Sequence, residues 1–371
     1  MNYKNDDRIV LTLDAGGTNF VFSAMQGNKE VIDTVTLPSN ADDLNKCLNN
    51  IISGFTLVKD KLKAPPSAIS FAFPGPADYP SGIIGDLGNL PAFRGGVALG
   101  PMLQEKFNLP VFINNDGDLF VYGEAIAGFL PYVNNLLTEA GSPKRYNNLF
   151  GVTLGTGFGA GIVRNNELYI GDNSNAGEIW LLRNKLDPKT NAEEGACIRT
   201  IQGVYTKLCN IPFEKAPSPK DIYEIGLGKK AGNKEAALEG YRQLGESVGD
   251  SLSQAITLLD GLIVIGGGIA GASDLFMPAL IAEMNGTYKS PAGVKFPRLA
   301  TKAYNLEDEN QLKEFLRGDK TEITVPFSKS KIVYDPQKRI GVGISRLGTS
   351  KAVAIGASAF ALQKLEKDKV N

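Results

Sequence analysis

Two glycine turns, far apart in the chain, each lie between strand-like segments and could hold phosphate. Glycine and other small residues leave backbone N–H groups uncovered, so a phosphate can approach them closely. One turn alone is equally compatible with an ordinary β-hairpin, but two turns at matching places in two similar halves favour polyphosphate binding. The candidate residues are Asp14, which could also hold a hydrated Mg²⁺, with Gly16, Gly17, Thr18 and Asn19 in the first turn, and Gly155, Thr156 and Gly157 in the second.

A carboxylate lies between the two turns, at the junction of a predicted strand and a predicted helix. Asp116 is the candidate general base that accepts the proton of an attacking hydroxyl, and Asn115 precedes it. The alternative is helix N-capping, for which Asn and Asp are favoured residues, and the two roles are compatible. A helix N-terminus predicts a lowered pKa for Asp116. Phosphoryl transfer through a loose transition state tolerates so weak a base.

Two further segments carry candidate binding residues. Glu178 follows the second turn and could accept hydrogen bonds from two sugar hydroxyls, although a lone loop Glu is more often simply solvated. Gly266, Gly267 and Gly268 could let an adenine base lie against the backbone. The same segment spells G-x-G-x-x-G, but it comes late in the chain and lacks the βαβ unit with an acidic partner, so a dinucleotide fingerprint is disfavoured.

Composition excludes several classes of protein. The chain has 371 residues, of which 43% are hydrophobic, enough for two domains with cores of their own. A net charge of -1 argues against a general nucleic-acid or membrane-surface binder. Three cysteines without a close-spaced pair fit a reducing cytoplasm. The absence of histidine rules out Ser-His-Asp and Cys-His catalysis and any imidazole metal site.

Hydrophobic periodicity predicts an α/β protein with two similar halves, each carrying one glycine turn. Strands are predicted at 9–14, 20–25, 31–37, 68–73 and 111–114, and again at 148–154, 159–164, 167–170 and 262–265. Helices are predicted at 42–61, 97–107, 117–127, 193–209, 234–259, 274–285 and 350–367. Residues 286–340, which are rich in charged residues, fit neither half and are interpreted as an insertion or subdomain. The two halves predict a cleft between two domains, where ligands commonly bind.

With these segments in this order, the chain resembles sugar kinases of the actin–hexokinase–Hsp70 superfamily and, more narrowly, the ROK (repressor, open reading frame, kinase) family. Order and spacing make the set specific, and it covers nearly the whole chain except 286–340. The matching segments are DAGGTN (14–19), PGP (74–76), Gly88–Pro91, NND (114–116) with Gly123 and Glu124, LGTGFGAG (154–161), AGE (176–178), IGGG (265–268) and Leu347–Gly356.

The resemblance implies two RNase-H-like domains, a small one at 1–115 plus about 348–371 and a large one at 116–347 with the insertion at about 286–340. It implies ATP- and Mg²⁺-dependent phosphorylation of a sugar hydroxyl, usually the 6-OH of a hexose such as glucose or of an N-acetylhexosamine. Asp116 matches the general base, Asn115, Glu178 and Asn89 match sugar contacts, and Gly266–Gly268 match the adenosine region. A cytoplasmic homodimer is expected, with neither nucleic acid nor membrane as a partner.

The chain departs from the family pattern near the sugar site. Family members usually follow AGE with a zinc-associated His, whereas here Trp180 and Leu181 occupy that neighbourhood, and without a cysteine cluster no zinc is expected. An Arg, Arg199, stands where a second sugar-binding Glu is usual, so Glu194 or its neighbour Glu193 is the candidate replacement. A catalytically weak or silent sugar-binding sensor is therefore the alternative. A repressor is disfavoured because the first turn begins at residue 14, which leaves no room ahead of it for a helix-turn-helix domain.

Overall fold

The computed structural model describes residues 3–75, 77–85 and 91–367, and the chain divides into two compact units. Unit 1 comprises residues 1–128, 161–177 and 347–371, and unit 2 comprises 129–160 and 178–346. The domain boundaries predicted from the sequence stay a prediction. Asn89 lies outside the described residues, so its sugar contact also stays a prediction. Among the described helices, none is long and apolar enough to cross a membrane.

The structure confirms the predicted helices to within a few residues. The helix predicted at 193–209 is interrupted at Cys197. Three helices were not predicted, at 129–139, 219–226 and 309–317. In chain order the helices are α1 Leu44–Asp60, α2 Leu99–Phe107, α3 Asp116–Ala127, α4 Phe129–Glu139, α5 Glu193–Ala196, α6 Ile198–Cys209, α7 Pro219–Gly226, α8 Lys234–Leu259, α9 Ser273–Met284, α10 Glu309–Arg317 and α11 Thr349–Lys367.

Within the part of the chain that the structure describes, the strands form two large sheets and three two-stranded ones. In chain order the strands are β1 Val10–Ala15, β2 Asn19–Gln26, β3 Lys29–Glu30, β4 Val35–Pro38, β5 Ala68–Ala72, β6 Ala77–Asp78, β7 Ile83–Ile84, β8 Val111–Asn114, β9 Leu149–Leu154, β10 Phe158–Arg164, β11 Glu167–Leu168, β12 Leu262–Gly266, β13 Thr287–Lys289, β14 Lys295–Pro297, β15 Lys302–Asn305, β16 Thr321–Thr324, β17 Lys331–Tyr334 and β18 Arg339–Ile344.

The main sheet of unit 1 has the order β3-β2-β1-β5-β8, and β4 pairs with the first four residues of β2. One face is buried against α1, where Phe22 of β2 meets Phe55 edge to face at 5.1 Å between ring centroids. Strands β1, β5 and β8 run parallel. Their carboxyl ends therefore share one edge of the sheet, and Asp14 and Asn115 lie at that edge, at the end of β1 and just after β8.

The main sheet of unit 2 has the strand order β10-β9-β12-β18-β15, in which β9, β12, β18 and β15 are parallel. Strands β15 and β18 were not predicted, because they lie within and at the end of the charged region at 286–340. Hairpins β13–β14 and β16–β17 make up much of the rest of that region. The strand β10 continues past residue 160 into unit 1, where it pairs with β11.

Within unit 1, helices α3 and α11 cross with their backbones in contact. A Cβ added at Gly123 would lie 1.9 Å from the carbonyl oxygen of Ala352, and one at Gly356 would lie 1.9 Å from that of Leu119. Distances so short require glycine on both helices, since backbone carbonyls cannot move aside as side chains can. This contact fixes α3, and with it the position of the helix N-terminus that carries Asp116.

Replacing Gly123 by alanine should therefore lower the free energy of unfolding by about 3 kcal/mol, because the helices must separate to admit one methyl group. Chemical denaturation followed by circular dichroism measures the change. The matched control is Gly203→Ala in α6, where a Cβ would meet no described atom within 4 Å. That variant should be neutral or more stable by up to about 1 kcal/mol through helix propensity. Equal effects of the two variants would contradict the interpretation.

Candidate functional site

The first glycine turn joins β1 to β2 in unit 1 and keeps its outer side open. The Gly16 N–H donates to the Asn19 carbonyl at 3.1 Å, which closes the hairpin after the pair Ala15–Phe20. All four residues of the turn, from 16 to 19, are exposed, as is Asp14. The turn is therefore well defined and accessible, as the predicted phosphate role requires.

A side chain that the sequence reasoning missed holds this turn from behind. Ser39 is 2% exposed, and its N–H donates to the Thr18 carbonyl at 2.9 Å. Its hydroxyl donates to the Gly17 carbonyl at 2.6 Å. Both carbonyls are thus engaged on the inner side of the turn. The only sequence signal for Ser39 was the end of the predicted strand just before it. Ser39 comes close to the turn because β4 pairs with β2, with Pro38 opposite Asn19.

Of the pair Asn115 and Asp116, it is Asn115 that caps the N-terminus of α3. Its side-chain oxygen accepts from the Gly117 N–H at 2.8 Å, and its extended backbone begins α3. The Asp116 carboxylate accepts from the same N–H at 2.9 Å. One donor shared by two acceptors leaves most of the acceptor capacity of the carboxylate unused. Asp116 is exposed, so its remaining oxygen lone pairs can reach a ligand.

The predicted lowering of the pKa of Asp116 is wrong. Desolvation by the surrounding protein raises this pKa, and the nearby charge of Asp14 raises it further. The hydrogen bond from the Gly117 N–H acts in the opposite direction and is outweighed. The sequence places Asp116 at a helix N-terminus, but it does not reveal how much protein surrounds that terminus. A raised pKa makes Asp116 a stronger base than the sequence implies.

The second glycine turn, in unit 2, is also held from behind. The Gly155 N–H donates to the Gly157 carbonyl at 3.1 Å, and the Gly155 carbonyl accepts from the Ile198 N–H at 2.9 Å. The Glu193 carboxylate accepts from the Phe158 N–H at 3.1 Å. The first turn of α6 and a carboxylate from α5 thus fix the conformation of the turn between β9 and β10.

The third glycine cluster lies beside this second turn. Gly266, at the end of β12, pairs with Thr153 of β9, and the Ile269 N–H donates to the Leu154 carbonyl at 3.0 Å. Gly267 has φ +85°, and a Cβ there would lie 2.3 Å from the oxygen of Leu154, so the fold itself requires glycine. The segments predicted to contact the phosphates and the adenosine are therefore neighbours at one edge of the unit 2 sheet.

Three glycines in the candidate turns have no explanation within the chain. At Gly17, Gly155 and Gly268 a Cβ would meet no described atom within 4 Å, and none of the three has a left-handed backbone. Gly203 and Gly271 share both properties. Glycine at Gly17, Gly155 and Gly268 thus leaves space that no described residue fills. That space fits the close approach of phosphate groups.

The remaining predicted residues have partners in unit 2. The Trp180 indole N–H donates to the half-buried Glu178 carboxylate, two residues before it in the chain. Glu194 is exposed and pairs with Arg199 at 2.7 Å.

For Mg²⁺, Asp14 offers one exposed carboxylate, which fits an ion that retains waters and binds phosphates. Within residues 3–75, 77–85 and 91–367, no group of three or more His, Cys, Asp or Glu forms a metal site.

The raised pKa of Asp116 predicts a stabilising effect of Asp116→Asn. The protonated carboxyl favours the folded state at low pH, and this contribution is lost as pH rises through the folded-state pKa. At pH 7 the ionised group is therefore less well accommodated in the folded state than in the unfolded one. The neutral amide should raise Tm by about 1–3 °C at pH 7, with a smaller difference near pH 4.

Thermal unfolding at both pH values measures this effect. Asp43→Asn is the matched control, because the Lys46 N–H lowers the pKa of Asp43 and the charge there favours the folded state. That variant should show no gain in Tm. A lower Tm for Asp116→Asn at pH 7 would contradict the electrostatic account.

Comparisons with known proteins agree with this geometry. A glucokinase of Parabacteroides distasonis ATCC 8503, known from a crystal structure, is 53% identical, with a TM-score of 0.89 over 98% of this chain and 99% of that one. The N-acetyl-D-glucosamine kinase of Photobacterium profundum is 26% identical over 73% of this chain and 88% of that kinase. The ROK hexokinase of Thermus thermophilus shares the fold, with a TM-score of 0.65 at 17% identity over 94% of this chain and 96% of that one.

The similarity in structure confirms the predicted α/β fold class of the actin and hexokinase type. The sequence model of the ROK family matches residues 10–302, which is well over half of the chain. Family and fold thus agree with the residues that first suggested the resemblance. The chain belongs to the ROK family.

Proposed function

We propose that this protein transfers the γ-phosphoryl group of ATP to a hydroxyl of a hexose or N-acetylhexosamine, with Asp116 as the general base. At the coarser level, it is an ATP-dependent sugar kinase of the ROK family. The observation that carries the finer proposal is Asp116 itself. Its carboxylate is exposed, its pKa is raised, and it shares a sheet edge with Asp14 and an open glycine turn.

The chain's own residues supply binding, orientation and proton transfer. Asp116 accepts the proton of the attacking sugar hydroxyl, which makes the oxygen a better nucleophile as the phosphoryl group arrives. Asn115 caps α3 and so fixes the direction of the neighbouring carboxylate. Bound Mg²⁺, held through water by Asp14, would neutralise charge on the phosphate oxygens. Most of the rate enhancement in such reactions comes from positioning and electrostatics.

The nucleotide is assigned to the two glycine turns and the third cluster. The space left at Gly17 and Gly155 would admit phosphate oxygens, and the region of Gly266–Gly268 would receive the adenosine. The fold places the second turn and the third cluster side by side, which supports their use by one ligand.

The sugar is assigned to Asn115, Glu178, Asn89 and Glu194, as the family resemblance implies. The Trp180 indole N–H orients the Glu178 carboxylate, which supports a bidentate contact with two hydroxyls. Glucose is the first candidate because the 53% identical protein is a glucokinase, and N-acetylglucosamine is the second. The reaction is placed in the cytoplasm, where ATP is supplied, and a homodimer remains part of the proposal.

Release of ADP from Mg-ATP across glucose, fructose, mannose, N-acetylglucosamine and N-acetylmannosamine should show turnover with one sugar. Asp116→Asn should lower kcat for that sugar by about 10²–10⁴ while changing KM little, since the amide keeps the shape but cannot accept the proton. Turnover close to that of the wild type would remove Asp116 from this role. Sugar binding without any ADP release would favour the silent sensor.

Alanine at the open glycines tests the nucleotide assignment separately. Gly155→Ala and Gly268→Ala should each raise KM for ATP about tenfold or more, because a methyl group would occupy the space left for the ligand. Tm should stay within about 1 °C of the wild type, since no described atom is displaced. Gly203→Ala should change neither quantity. An unaltered KM for ATP with both turn variants would contradict the assignment.

A further inference from the structure

Three charged side chains form a cluster beside the second glycine turn, and the sugar contact proposed for Glu194 does not explain the hydrogen bonds of the cluster to the turn. Arg199 in α6 donates through Nη1 to the Thr156 carbonyl at 3.0 Å. Its Nη2 is shared between two carboxylates, at 3.1 Å from Glu193 and 2.7 Å from Glu194. We call these three residues the turn triad. All of its contacts lie within unit 2.

Glu193 is the member of the triad that fixes the turn. Its Oε2 accepts from the Phe158 N–H at 3.1 Å, and its Oε1 pairs with Arg199. A Cβ at Gly157 would lie 2.9 Å from Oε2, so the carboxylate lies directly against the turn. One side chain thus contacts both the turn and the arginine.

Glu194 differs from Glu193 in its contacts with the turn. Its carboxylate pairs with Arg199 and has no recorded hydrogen bond to residues 155–158. Two carboxylates and one guanidinium leave a net charge of -1 beside a turn that is open at Gly155. The side chains of the triad are 28% to 45% exposed, so their field reaches the solvent at the turn while being partly screened.

We propose that the turn triad sets the affinity for the nucleotide phosphates, with Glu193 and Arg199 as positioning residues and Glu194 as a counteracting charge. Glu193 and Arg199 hold the turn in the conformation that receives phosphate. The surplus charge of Glu194 repels the phosphate and keeps binding weaker than the turn alone would allow. This inference rests on the proposed function, since it takes the ligand of the turn to be a nucleoside di- or triphosphate.

The triad predicts opposite signs for neighbouring carboxylates. Glu193→Ala should raise the Kd for ADP about tenfold, because a charged acceptor of the Phe158 N–H is lost. Glu193→Gln should recover part of that loss, since an amide oxygen still accepts. Glu194→Gln should lower the Kd about two- to fivefold, and the gain should shrink as salt is added. Arg199→Ala should raise the Kd, and adding Glu194→Gln to it should restore part of the affinity.

Calorimetry with ADP and no sugar measures these affinities. Hydrogen exchange at the Phe158 amide gives a readout without nucleotide and should quicken in Glu193→Ala but not in Glu194→Gln. In turnover assays KM for ATP should follow the Kd for ADP. Glu322→Gln, which removes one negative charge from β16 of the same unit, is the control and should leave the Kd unchanged.

Three outcomes would overturn the inference. Equal changes in Kd for Glu193→Ala and Glu194→Gln would make the triad an ordinary surface ion-pair cluster. Wild-type ADP binding that none of the variants alters would refute this inference and leave the proposed function standing. A wild type that binds no ADP would instead refute the proposed function, and with it the role of the triad.

Discussion

The backbone contact between α3 and α11 is the constraint on which the arrangement of unit 1 depends. Gly123 and Gly356 let the two helices approach until a single methyl group would collide with a carbonyl oxygen. A contact without intervening side chains has almost no freedom to slide, because close-packed atoms resist displacement. The N-terminus of α3 therefore has one position, at the edge of the sheet where β1 and β8 end. Asn115 and Asp116 acquire their geometry from that position.

Both glycine turns follow the same physical rule. Each turn leaves its outer side open, and its carbonyls or N–H groups form hydrogen bonds on the inner side. Ser39 does this for the first turn, and Glu193 with Arg199 does it for the second. The open glycines make the turns accessible, and the residues that hold the turns fix their conformation. Both are needed, because accessible backbone can bind a ligand only where its conformation is fixed.

Local sequence signals predicted much of this structure. The glycine turns, the strands around them and the helix after Asn115 follow from patterns within a few residues, and the structure confirms them. Ser39 and Arg199 were missed because their partners are distant in sequence and are brought close only by strand pairing or helix packing. The sequence likewise contained β15 and β18, but charged neighbours hid their short apolar runs. The direction of the Asp116 pKa shift depends on surrounding protein, which no local pattern encodes.

Asp116 shows why the site conflicts with stability. Its hydrogen bond to the Gly117 N–H favours the charged carboxylate, whereas desolvation and the charge of Asp14 disfavour it, and the latter prevail. A residue selected for stability alone would be neutral here, even though the dipole of the helix terminus favours negative charge. Keeping an ionisable group here makes it a better proton acceptor because its charged form is poorly stabilised. The rigid α3–α11 contact supplies the stability that allows this arrangement to persist.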